Sequence, residues 1–447
     1  MATITPSPVD LDGFNKGMRG DPLGTLTRIR AEGTVCVIPY DEGEGKGEQR
    51  ILITTEPALA NAALVHGLRT HRALLRELVG SGLFVAATGD RWRRRRNLLR
   101  PMFTPRAVAA GHGVILKAAE DFVRRELLAG AGQPMDLAAT MQRLSVQVIL
   151  RSVDPALDGP EFLELTEALQ DAVEYLDHRL FLPDTVDDGD YEAFLKRREA
   201  LETFISGRAG QFGCPASEPG VLAEIVAALG EEAAAGEDPH QVLREELLSV
   251  FVAGVETMGT LLTWIFHNLA HRPEALSRSL AEVRAEDLDA LAAQPAAPNG
   301  ALPYLRAVVE ESLRLTPPAW ALVRTIEEPL EAAGIELVPG DVVLTATYVM
   351  HHDSELWEAP EEFRPERFLG DRPPAQQYLP FGAGPHQCLG RQFSLLEAQL
   401  VAATVLRHGL VELLDPEPVT TLRPHIALAP DPNPQAVFTA HGQEHTR

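Results

Sequence analysis

Apolar positions spaced three and four apart recur along most of the chain and predict a mainly helical protein. Residues 391–408 carry this period at Phe393, Leu396, Leu400, Ala403 and Leu406, and residues 245–270 read as a long apolar helix. Residues 303–315 give another helix and 57–65 a short one. Residues 105–230 are mostly helical, with breaks near 130–134, 154–159, 182–190 and 214–219. Strand-like patterning is confined to short runs: 34–40 and 50–54 around a polar glycine-rich turn, an extended 319–324, segments of 335–348 around Pro339-Gly340, and 422–428. The expected fold is mainly α with a smaller β-rich region, as a single domain over 1–447 with flexible ends at 1–20 and 442–447.

Composition narrows the function classes. A formal net charge of −24 over 447 residues argues against general affinity for nucleic acid or an anionic membrane. Three cysteines, an odd number, give no disulfide framework and point to a reducing compartment. Residues 1–10 hold two prolines and no apolar run, so neither a signal peptide nor a membrane anchor is expected there, and the setting reads as cytoplasmic. Gly43, Gly45 and Gly47 lack the apolar helix that follows a phosphate loop, and their acidic flanks would repel phosphate. The acidic run 184–190 matches no calcium-loop spacing and reads as a solvated connection between two helices.

Four places carry candidate chemistry. Phe381-Gly382-Ala383-Gly384-Pro385-His386-Gln387-Cys388-Leu389-Gly390 is too rich in Gly and Pro for a regular element, and it holds one cysteine just ahead of the 391–408 helix. The positive end of that helix favours a thiolate, which is a soft metal ligand or a nucleophile. Ala253-Gly254-Val255-Glu256-Thr257 places a glycine, an acid and an alcohol inside the longest apolar helix. Glycine there costs about 1 kcal/mol against alanine. Close helix packing at Gly254 with Glu256 at a surface is the alternative reading. Trp92 and Arg96 share one helix face, while Arg93, Arg94 and Arg95 read as a solvated basic face. Glu311 and Arg314 have ion-pair spacing, a weak signal alone because Glu361 and Arg364 repeat it. His351 and His352 are adjacent, cannot share a helix face as a metal pair, and read as structural.

Taken with its spacing, the cysteine loop resembles the haem-binding loop of the cytochrome P450 superfamily, in which Phe, Gly, a basic residue, Cys and Gly recur. The resemblance makes Cys388 the axial thiolate of haem iron and assigns Phe381, Gly382 and His386 to the cofactor loop. His386, when neutral, is a weaker carboxylate clamp than the arginine often found there. Residues 253–257 are similar to the family's A/G-G-x-D/E-T segment, which assigns Thr257 to dioxygen activation and Glu256 to proton relay. Met258 stands where Thr or Ser is commoner. Trp92 with Arg96, and Arg324, become partners of haem propionates. Glu311-Ser312-Leu313-Arg314-Leu315-Thr316-Pro317-Pro318 looks like the family's K-helix, with Arg367 as third partner of Glu311 and Arg314 in a buried structural network. Leu83, Phe84, Ala253, Gly254, Leu322 and Val323 would border the substrate pocket, with Ala321 also near it and 184–190 as a lid.

The motifs at Trp92, Glu256, Glu311, Arg367 and Cys388 follow the family's order, with haem b expected between the long helix and the Cys388 loop. The implied activity is insertion of one oxygen atom from O2 into a hydrophobic small molecule, terpenoid, polyketide or fatty-acid-like, in secondary metabolism. No flavin or ferredoxin domain is expected after the last strands. Electrons from NAD(P)H are therefore expected through a separate ferredoxin-like donor and its reductase, docking at Arg93 and Arg94. The alternatives are a peroxide-driven peroxygenase and a non-catalytic haem carrier or sensor.

Overall fold

A computed structural model describes residues 7–41, 48–69, 80–83, 89–154, 157, 159–181, 186–209, 236–293 and 301–442. The backbone gathers into two compact units, Met1–His71 with Glu311–Cys388, and Arg72–Glu310 with Leu389–Arg447.

The first unit is built on a sheet whose strands run in the order Ser7–Pro8, Val35–Asp41, Glu48–Thr54, Val342–Thr345, Leu322–Thr325 and Leu68–Arg69. Val35–Asp41 and Glu48–Thr54 pair antiparallel with Val37 opposite Leu52, as the alternating pattern predicts. Successive side chains leave opposite faces. Cys36, Ile38 and Ile53 therefore pack with Phe14, Leu26 and Ile29, while Val35, Leu52 and Val343 pack with Leu59 and Ala63 of helix Pro57–His66. Cys36 is fully buried and donates its S–H to the Ile29 carbonyl, the behaviour of a small core residue. Residues 11–20, expected to be loose, form helix Leu11–Gly20, capped by Asp10 and seated by buried Phe14. The strand-like run ends at Thr345, and Thr347–His351 is helical. The turn at 42–47 lies outside the described residues, as do Phe84 and Cys214.

The second unit is helical around Pro239–Ala270, which starts six residues before the predicted position because Asp238 caps it and Pro239 opens it. The helix is long and apolar enough to cross a membrane by composition, and most of its apolar stretch is buried. It lies against helix Leu137–Val153 so closely that a Cβ on Gly254 would sit 2.4 Å from Ile149 Cδ1, and one on Gly259 would sit 2.9 Å from Gln142 Cα. Helix Arg391–His408 has the predicted bounds but not the predicted single face: Leu395 to Leu406 are buried without interruption, Glu397, Gln399 and Thr404 included. The unit is completed by a three-stranded sheet of Gly409–Leu413, Gln435–Ala440 and Pro134–Asp136, and by a hairpin pairing Leu422–Pro424 with Leu428–Pro430. Part of the acidic run is helix rather than loop. Helix Asp188–Ala209 begins inside it, with the Asp187 and Asp190 side chains each accepting the other's N–H at 3.0 and 2.9 Å.

Candidate active site

In the first unit, positive φ at Gly382 (66°) and Gly384 (71°) folds the 381–390 loop into a conformation few side chains tolerate. Gly384 has a second constraint: a Cβ there would lie 2.5 Å from the Leu64 carbonyl and 2.6 Å from Val65 Cα. The loop is thereby pressed on helix Pro57–His66. Cys388 N–H donates to the Phe381 carbonyl at 3.0 Å, and Gln387 closes the turn through Gly384 and Gly382. These bonds fix the backbone and leave the Cys388 side chain exposed. His386 ends a short 3₁₀ turn and is half-buried.

Behind this loop stands the predicted network. Glu311 binds Arg314 through both oxygens at 2.8 Å and accepts from Arg367 Nε at 3.2 Å and Arg364 N–H at 2.9 Å. Arg314 also donates to the carbonyls of His351, Pro360 and Glu362. The other Glu-x-x-Arg pair, Glu361 and Arg364, holds no such position: Glu361 is exposed. His351, read from sequence only as structural, is the tie between network and loop. Its Nδ1 donates to the Arg314 carbonyl at 3.1 Å, and its Nε2 accepts the Leu379 N–H at 3.1 Å. Burial, and then the neighbouring Arg314 guanidinium, push its pKa well below the ordinary range and keep it neutral. Arg324 is buried on strand Leu322–Thr325 rather than lying at the surface, and donates to the Val323 carbonyl. Leu322 and Val323 are half-buried beside it.

In the second unit, Trp92 and Arg96 do share a face of helix Gly89–Leu99, with the guanidinium 5.5 Å from the ring centroid. The basic run beside them needs correction. Arg95 is fully buried, not solvated: its Nη2 lies 2.7 Å from Glu237 and 3.3 Å from Glu245, and its Nη1 3.3 Å from Glu246. Arg91 and Arg94 also reach Glu237, and only Arg93 is largely exposed, paired with Asp90. The reason is charge balance, since Glu245 and Glu246 occupy buried positions of an apolar helix and require a cation. Glu246 also accepts the N–H of half-buried Leu83.

On the long helix, Thr257 Oγ1 donates to the Ala253 carbonyl at 2.8 Å, the back-bond expected of a mid-helix alcohol. Ala253 and Gly254 are half-buried, and the tight contact at Gly254 is real. Glu256, however, is half-buried rather than fully exposed. Its carboxylate accepts from Gln142 Nε2 at 2.7 Å, a reach made possible where bare Gly259 lets the Gln142 backbone approach. Burial, then Asp177, push its pKa up to about 7, partly opposed by Arg423 and His425.

A family model of cytochrome P450 matches residues 44–437. The chain belongs to the cytochrome P450 family. It is 37% identical over 210 residues to putative cytochrome P450 137 of Mycobacterium tuberculosis, covering 47% of this chain and 41% of that protein. It is 28% identical to cyclooctat-9-en-7-ol 5-monooxygenase of Streptomyces melanosporofaciens, covering 93% and 90%. Among solved structures, P450s from two strains of Thermus thermophilus align with TM-scores of 0.71 and 0.73 at 25% identity, covering 94% and 97% of this chain and 98% and 100% of theirs.

The residues of this P450 fit haem. Among the described residues, no three of His, Cys, Asp and Glu converge as a bare metal centre would need. The exposed Cys388 sulfur on a fixed loop would supply a thiolate ligand to haem iron. Trp92, Arg96, Arg324 and His386 supply donors of the kind carboxylates take. What sequence reasoning missed, Arg95 and Gln142, are polar groups whose partners lie far away in the chain. Their only sequence signal is an acid in an apolar helix.

Proposed function

We propose that this P450 is a haem-thiolate monooxygenase acting on a hydrophobic small molecule. The observation that carries the reading is Cys388, exposed on a loop whose backbone is fixed by Gly382, Gly384 and the bond to Phe381. Haem b held there supplies the activation of O2 from which one oxygen atom enters a C–H or C=C bond. Cys388 ligates the iron as thiolate, with Phe381, Gly382 and His386 around it. Trp92, Arg96, Arg324 and His386 would donate hydrogen bonds to the propionates, with the two guanidiniums supplying the positive charge. Thr257 offers a hydroxyl in mid-helix, and Glu256, poised at about pH 7, holds and releases the proton that the reaction consumes. Ala253, Gly254, Leu83, Leu322 and Val323 would border the substrate.

The similarity to a Streptomyces enzyme named for cyclooctat-9-en-7-ol favours a terpenoid-like substrate and a place in secondary metabolism. Electrons come from NAD(P)H through a separate ferredoxin-like donor and its reductase, in the cytoplasm. The test is the absorption spectrum of the reduced protein with carbon monoxide. A strongly red-shifted Soret band that is lost in Cys388→Ser is expected; an imidazole-like band, or no haem in folded protein, overturns the reading.

A further inference from the structure

The buried ion cluster on the early turns of the long helix holds more than its own arginines. We propose that Arg95 and Glu246 form a latch that fixes the backbone at Leu83, which makes Glu246 a positioning residue for the substrate pocket. This deepens the monooxygenase reading, and rests on it, since Leu83 borders the substrate in that reading.

Both oxygens of Glu246 accept from the Leu83 N–H, at 3.0 and 3.1 Å. Arg95 Nη1 approaches the same carboxylate at 3.3 Å, and neither of these two side chains has any exposed surface. A buried carboxylate needs both a cation and hydrogen-bond donors, and here one donor is a backbone amide far away in the chain. Two glycines bring the flanking backbone equally close. A Cβ on Gly82 would lie 2.6 Å from the Glu245 carbonyl oxygen and nearer still to Ser249 Oγ, and one on Gly80 would lie 2.8 Å from Glu245 Oε1. Residues 80–83 are thus seated directly on the helix, with no room for a side chain at Gly82.

The distribution of partners separates the latch from a plain ion pair. Arg95 also reaches Glu237 at 2.7 Å and Glu245 at 3.3 Å, so its charge does not by itself require Glu246. What Glu246 adds is the hold on Leu83. That hold grips main chain and leaves the side chain free for apolar contact. Leu83 is half-buried and packs against the cluster to which Phe251, Val252 and Val255 belong, on the stretch of helix that also carries Ala253 and Gly254. An apolar wall discriminates between ligands only when its backbone is fixed, and the charged pair behind it supplies that fixity without entering the pocket.

Two measurements on the haem-loaded protein test the latch. Hydrogen exchange at the Leu83 amide reports the bond itself. Glu246→Leu is expected to speed that exchange by about tenfold or more, while Glu246→Gln, which keeps an acceptor oxygen, stays close to wild type. Azole binding, read from the haem spectrum, reports the pocket: imidazole needs only the iron, whereas clotrimazole carries three aryl rings that must fit the apolar wall. Glu246→Leu and Gly82→Ala are each expected to weaken clotrimazole by about tenfold and to leave imidazole unchanged. Gly82→Ala displaces the segment with Arg95 and Glu246 both intact, so agreement between the two variants excludes a mere loss of charge. Unchanged Leu83 exchange in Glu246→Leu, or equal effects on the two azoles, overturns the proposal. The carbon monoxide spectrum of wild type judges the monooxygenase reading separately, since exchange at the Leu83 amide requires no ligand on the iron.

Discussion

Glu397 sits among apolar neighbours in the middle of helix Arg391–His408, and its Oε1 has no hydrogen-bond partner among the described residues. Burial alone pushes its pKa up from the ordinary 4.5 to about 8. The sign of the consequence is fixed by linkage: the folded state binds the proton more tightly than the unfolded state. The stabilising contribution is therefore complete below about pH 4.5 and is lost as pH rises through about 8. At about 1.4 kcal/mol per pH unit this amounts to several kcal/mol. Urea denaturation of Glu397→Gln is expected to show a flatter stability profile between pH 5 and 9 than wild type, with the variant gaining relative stability at the alkaline end. Parallel profiles would mean that the carboxyl ionises in place without penalty. Glu256 is raised in the same direction but differs in kind. It has a donor in Gln142 and charged neighbours of both signs, which suits a group that exchanges protons rather than one that stays neutral.

At the scale of elements, the network behind the cysteine loop is unequal in its parts. Arg314 satisfies both oxygens of Glu311 and three carbonyls, and stacks 5.2 Å over Trp357. Arg367 adds one bond to Glu311 and one to the Ala359 carbonyl. Arg314→Leu strands a buried carboxylate and is expected to cost roughly 3–5 kcal/mol in chemical denaturation. Arg367→Leu should cost clearly less, because Glu311 retains Arg314 and the Arg364 N–H; equal losses would contradict this ranking. The helix that carries Glu311, Pro303–Leu315, was legible to the residue, since a proline opens it and Thr316-Pro317-Pro318 stops it. Helix Arg391–His408 was equally legible in its bounds, between two glycines. Its burial on every side was not, because periodicity reports which face is most apolar and says nothing of how many neighbours surround it. The same gap explains Arg95. Four consecutive arginines look solvated until Glu237, Glu245 and Glu246, some 150 positions away, are brought to them. The candidate site was legible where short motifs carry it, at Cys388, Thr257 and Glu311. It was not where Arg95 and Gln142 join distant segments.

For the whole molecule, a net charge of −24 sets a repulsive background for any acidic electron donor, so a local basic feature must do the steering. The run from Arg91 to Arg96 offers less free charge than its sequence implies. Arg95 is buried, and Arg91 and Arg94 share Glu237. Arg93 keeps 65% of its side-chain surface despite its pairing with Asp90, and it is the arginine of this run best placed to meet a partner. Docking of a ferredoxin-like donor here makes a graded forecast. Arg93→Glu should slow first-electron transfer severalfold at low ionic strength, and the deficit should close as salt shortens the screening length to about 10 Å at 0.1 M and below that at higher concentrations. Arg94→Glu should act in the same direction but less, since Glu237 already offsets that charge. Stopped-flow reduction of the haem over a salt series checks both. A rate for Arg93→Glu equal to wild type at the lowest salt would move the donor's docking face away from helix Gly89–Leu99.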